Sequence, residues 1–179
     1  MLEIVIPGVE KFDDEKQEFV TTDSVDLRLE HSLVSISKWE SKWCKSFIAT
    51  KEKTVEETID YIKCMTLNKN INDDVYECIT NGNILEVTNY INAPMTATTF
   101  NDFDDKPNRE VITSEIIYYW MVSFNIPMEC QRWHLNRLLT LIRVCNIKNS
   151  PAKKMSRSEI LNRNAALNAA RKKQYNTKG

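Results

Sequence analysis

The sequence predicts an α+β fold, predominantly helical, in which a small N-terminal β-sheet is followed by a helical core and a basic C-terminal tail helix. Three observations predict it. Apolar and polar residues alternate only within the first thirty positions, the period of a half-buried strand. Beyond residue 32 the apolar positions recur at helical spacing. The 179-residue chain holds only 3 Gly and 5 Pro, few for a fold built from many tight turns. The expected boundaries are 1–31 for the sheet, 32–146 for the helical core and 147–179 for a basic, partly disordered segment. Apolar residues make up 42% of the chain, enough to bury a core.

Leu2-Glu3-Ile4-Val5-Ile6 is a strand ended by Pro7-Gly8, and the acidic stretch 9–18 is turn-like. Glu18–Thr22 is a second strand. Val25-Asp26-Leu27-Arg28-Leu29-Glu30 alternates strictly and is a third, with one buried face. Val34, Ile36, Trp39, Trp43 and Phe47 then follow helical spacing. Thr54 with Glu57 is a capping box ahead of Ile59, Ile62 and Met65. Asn72 with Asp73-Asp74 starts a short helix that should stop at Asn81-Gly82, where Gly serves as the C-cap, and Asn83 with Glu86 caps the next.

Residues 93–110, with Pro94, the acidic run Asp102–Asp105 and Pro107, form a loop. Ile112–Phe124 is apolar nearly all round, which predicts a central core helix. Pro127 suits the first turn of a following helix that runs to about Cys145 with Trp133, Leu138, Leu139, Ile142 and Cys145 inward. Residues 147–154 are a polar linker, and Ser156 with Glu159 is a further capping box. The Ala/Asn/Arg-rich run from Ile160 to Lys173 has too few large apolar groups to anchor itself and is expected to become helical on a partner.

The formal net charge of −1 conceals an asymmetry: residues 148–179 carry nine basic groups and one acid, and the remainder is net −9. Such a basic segment suits nucleic acid, an acidic protein surface or the body of a second copy, giving a possible homo-oligomer. Tyr175 alone is available there for base stacking, so nucleic acid is the weaker option. The five cysteines form no CxxC and are read as buried free thiols in a reducing cytosol. No secretory leader is expected from Met1-Leu2-Glu3, and no apolar run approaches the 18 residues of a membrane span.

The sequence points away from catalysis, metals and cofactors. Two histidines and scattered cysteines do not make a zinc site. His31 is read as part of a cap or turn and His134 as a residue engaged in packing or a hydrogen bond. Cys130 and His134, four apart, are expected to share a helix face, but no orienting group or oxyanion site accompanies them. The Asp102 run fails as a calcium loop, with Pro107 and Thr113 where Gly and Glu are needed. There is no Gly-rich phosphate loop and no nucleophile elbow. Trp39 and Trp43, four apart, make one stripe that is either core or an aromatic binding surface.

Four runs carry a resemblance: Leu27–Glu40 (LRLEHSLVSISKWE), Glu115–Trp120 (EIIYYW), Trp133–Ile142 (WHLNRLLTLI) and Asn164–Arg171 (NAALNAAR). Together they resemble a tailed-bacteriophage protein family of the long-tailed phage tail module, and the resemblance spans nearly the whole chain. It implies a non-enzymatic tail assembly chaperone, soluble in the bacterial host cytoplasm. Its partners would be the tape-measure protein and the tail-tube protein. A structural tail or head–tail connector component fits the same setting, and a nucleic-acid-binding protein acting through the basic tail is a further alternative. The helices over 112–124 and 127–145 only superficially resemble helix-turn-helix, because the second is mostly apolar. Candidate partner-binding residues are Trp39, Trp43, Arg163, Leu167 and Arg171, chosen by residue type and position.

Overall fold

The computed structural model describes residues 1–8, 10–13, 17–21, 23–100, 110–150 and 157–176. The architecture is α+β and mostly helical. Two compact units divide the chain, Met1–Asn146 and Ile147–Gly179.

In the first unit, β1 (Leu2–Ile6) pairs antiparallel with β4 (Val25–Leu29), and β2 (Glu10–Asp13) pairs antiparallel with β3 (Glu18–Thr21). Leu2 faces Leu29 and Glu10 faces Thr21, so partner numbers add to 31 in both ladders, and the two pairs keep one hairpin register. The stretch read from the sequence as a turn therefore contains β2. Side chains of Ile4, Ile6, Leu27 and Leu29 are buried while Val5 and the intervening charges face outward, the one-sided burial that alternation predicts.

The outer edge of β4 is closed by the segment after the second helix. Leu67 donates its N–H to the Arg28 carbonyl at 2.8 Å, and Glu30 donates to the Met65 carbonyl at 2.9 Å. The Asn68 side chain accepts from Arg28 N at 2.8 Å and donates to Asp26 O at 3.0 Å. These bonds satisfy edge groups that would otherwise be open to pairing.

The helices are α1 (Leu33–Trp43), α2 (Val55–Met65), α3 (Asp74–Glu77), α4 (Asn81–Asn92), α5 (Ser114–Ser123) and α6 (Leu135–Asn149), with a 3-10 turn at Met128–Arg132. α1 ends at Cys44, whose left-handed backbone (φ 52) lets its N–H reach the Glu40 carbonyl. Phe47 lies past that end in a turn, not on the helix, but is still buried. α2 starts at the capping box seen in the sequence: Glu57 N donates to Thr54 Oγ1 at 3.1 Å and Thr54 N to Glu57 Oε2 at 2.9 Å.

Three boundaries differ from the sequence reading. α3 ends at Cys78, and the predicted Gly82 C-cap instead lies inside α4; among the described residues no glycine has the positive φ that such a cap needs. The N-cap of α4 is Thr80, not Asn83. Asn83 answers it from the third position, with 3.2 Å bonds in both directions, and also donates to the Val5 carbonyl at 3.1 Å, which ties α4 to β1. Pro127 begins the 3-10 turn rather than a long helix, and α6 starts only after Trp133 and His134. Leu138 and Ile142 point inward as expected, while Trp133, Leu139 and Cys145 are half-buried.

α5 is not a central helix. It buries Ser114, Ile117 and Met121 but leaves Tyr119 68% and Val122 64% exposed. An apolar sequence can supply a buried face on every side, but only one side of α5 meets the core. α6 also takes in 147–149 of the predicted linker. The Asp102 run and Pro107, Pro151 and Ser156 lie outside the described residues. In the second unit α7 (Arg157–Tyr175) is helical. No helix among the described residues is long and apolar enough to cross a membrane.

Candidate functional site

The tryptophan stripe lies along the seam between α1 and α2. Trp39 has no exposed surface, and its indole N–H donates to the Glu57 carbonyl at 2.9 Å. Trp43, half-buried, stacks on it with ring centroids 6.2 Å apart and donates to Asp60 Oδ2 at 2.9 Å. The other Asp60 oxygen receives Lys42, and Lys45 binds Glu57 at 2.7 Å. The Lys45 ammonium and the Thr54 N–H hold the Glu57 carboxyl below the usual carboxylate range. A fully enclosed Trp39 is a core residue that fastens α1 to α2, so it offers no contact surface in the folded unit; Trp43 keeps a partly open edge beside Lys42 and Lys45.

Arg163, Leu167 and Arg171 follow one another at four-residue steps and so share a face of α7, and the side chains of all three are exposed. Leu167 sits between the two guanidiniums in sequence, an apolar contact flanked by charge.

The sequence reading missed a surface of the first unit. Ile112, Trp120 and Phe124 from the α5 side and Leu139, Ile142 and Arg143 from α6 line a cleft of about 440 Å³. Arg143 stacks over the Phe100 ring at 4.3 Å. The Tyr118-Tyr119-Trp120 triplet was the available signal: aromatic rings with a polar atom are suited to half-wet positions, whereas a fully buried helix is richer in aliphatic residues.

A second missed constellation is the histidine pair. His31 is read from the sequence as a cap or turn residue, yet its ring is buried against Phe47, Tyr61 and His134, with the two imidazole centroids 4.9 Å apart. Its Nδ1 lies 2.5 Å from the Tyr61 hydroxyl. Burial, with a smaller contribution from His134, lowers the His31 pKa to about 3, and burial raises the Tyr61 phenol well above its usual value. Asn136 donates its backbone N–H to His134 Nδ1 at 3.3 Å, so that nitrogen is the acceptor. The proton is then on Nε2, which donates to the Tyr90 carbonyl at 2.9 Å. The buried His31 imidazole is therefore neutral at ordinary pH, and the half-buried His134, its pKa also lowered by burial, ties the start of α6 to the Tyr90 carbonyl.

Cys130 lies in the 3-10 turn and His134 precedes α6, so the two do not share a helix face. Cys130 alone of the five thiols is buried; Cys44 is exposed and the other three are half-buried. Among the described residues no group of three or more His, Cys, Asp or Glu side chains is placed to hold a metal ion. No protein-family model, characterised protein or solved structure matches this chain.

Proposed function

We propose that this chain is a phage tail assembly chaperone, acting without catalysis in the host cytoplasm, that binds the tape-measure protein and/or tail-tube subunits during tail assembly. The observation that carries the reading is the cleft between α5 and α6 lined by Trp120, Phe124, Leu139 and Ile142, on a helix that also leaves Tyr119 and Val122 exposed. An apolar cleft that is open to a partner is a common form of interaction site. A long helical client with an apolar stripe fits a groove between two helices. The resemblance of the four sequence runs to the tail-module family supplies the identity of that client.

Co-expression with the tape-measure protein of the same genome tests this. A soluble, co-purifying client, compared with an insoluble one expressed alone, supports the chaperone. Failure of the two to associate, with this chain retained in purified particles, makes it a structural tail component instead. The basic α7 favours a second reading, nucleic-acid binding. That reading requires a steep fall in affinity with salt and is sunk by absence of DNA or RNA binding at low salt.

A further inference from the structure

The first unit contains a second cleft, of about 620 Å³, bounded by α2, α4, α6 and the segment that joins α1 to α2. That volume lies within the range of small-molecule sites. Ile84 and Ile91 of α4 and Leu135 and Leu139 of α6 give it an aliphatic side, and Thr50, Thr58, Thr88, Asn92 and Asn136 add uncharged polar groups. Its charge is one-sided: Lys51 and Lys53 line it and, among the described residues, no aspartate or glutamate does, although residues 1–147 are net −9.

Lys53 is the better fixed of the two. Its ammonium donates to the carbonyls of Phe47 at 2.9 Å and Thr50 at 2.6 Å and lies 4.0 Å from the Phe47 ring centroid. An ammonium has three N–H donors, so one is left after these two bonds. Glu57, the acid that acts on Lys53 electrostatically, is itself engaged by Lys45. Burial lowers the Lys53 pKa, so a carboxylate arriving in the cleft would restore what the ammonium loses by desolvation. His31 and Tyr61, also in the lining, are neutral and add no charge of either sign.

We propose that this cleft binds a small amphipathic anion, a single carboxylate carried on an apolar chain, with the carboxylate at Lys53 and Lys51 and the chain along Ile84, Ile91, Leu135 and Leu139. The site is distinct from the α5 surface, apart from Leu139, and does not depend on the chaperone reading.

Isothermal titration of the full chain with decanoate, decanol and decyltrimethylammonium, all below their aggregation concentrations, tests the assignment. Decanoate is expected to bind one per chain, about tenfold or more tighter than decanol, with the cation not bound. Lys51→Glu, at an exposed position, should weaken decanoate by about threefold. Thr88→Trp, at an exposed α4 position whose hydroxyl bonds only the Ile84 carbonyl of its own helix, should fill the cleft and abolish binding without changing the circular dichroism spectrum. Decanol binding as tightly as decanoate would overturn the anion assignment. Decanoate binding unchanged by both variants would place the ligand elsewhere, and no decanoate binding would overturn the site altogether.

Discussion

The Glu40 carboxylate of α1 accepts the backbone N–H of Ser114, the first residue of α5, at 2.7 Å. Its other oxygen accepts the N–H of Phe47 at 2.8 Å, so one buried acid satisfies both the turn after its own helix and a helix start 74 positions away. A negative group at a helix N-terminus also complements the dipole. Glu40→Ala would leave two buried N–H donors unpaired, a cost of about 2–6 kcal/mol at about 1–3 kcal/mol per orphaned group. Glu40→Gln, which keeps one acceptor oxygen, should lose about half as much. Urea unfolding of the three proteins measures this; equal midpoints would show that the carboxylate contributes no stability.

Trp39 and Trp43 should separate in the same assay. Trp39→Ala removes a fully buried indole and its bond to Glu57 O, with an expected loss of about 3–5 kcal/mol. Trp43→Ala removes a half-exposed ring and one bond to Asp60, a loss of about 1–2 kcal/mol. If Trp39→Ala left the melting temperature unchanged, the core assignment of Trp39 would fail.

The histidine pair gives the fold an acid limit. His31 has a pKa of about 3 when folded and about 6.5 when unfolded, so between those values the unfolded chain binds a proton that the folded chain does not. Stability is therefore complete above pH 6.5 and falls as pH drops through the window from 6.5 toward 3, by about 1.4 kcal/mol per pH unit once well inside it. His134, also lowered by burial, acts in the same direction. The urea midpoint should fall clearly from pH 7.5 to pH 5, and His31→Gln should flatten that fall. An equally steep fall in His31→Gln would assign the acid sensitivity to other groups.

What the sequence disclosed follows from how local each cause is. The alternation at Val25–Leu29 and the Thr54–Glu57 box are complete within a few residues, so they could be read directly. Thr80 and Asn83 each begin a plausible cap three residues apart, and the choice is made by the Asn83 bond to Val5, a tertiary contact. The His31–His134 pairing depends on Leu135 N reaching the His31 carbonyl at 2.9 Å, a contact between distant parts of the chain. The burial of α5 depends on which neighbours it meets, and composition does not state that. The exposed side of α5 was therefore hidden behind a correct observation, the apolarity of residues 112–124.

That surface yields the last prediction. Tyr119 and Val122 project from α5 with most of their area exposed, so replacing both by Ser removes little buried area. The Tyr119→Ser/Val122→Ser double variant should keep its stability within about 0.5 kcal/mol per site. If α5 is the client surface, the same variant should lose the ability to keep the co-expressed tape-measure protein soluble. Apolar anchors at the centre of an interface carry most of its energy, so the loss should be large rather than graded. Soluble-client yield, measured alongside the urea midpoint, separates the two effects. A variant that folds normally and still protects the client would move the binding surface away from α5, with Trp43 and the Arg163–Leu167–Arg171 face of α7 next to be substituted.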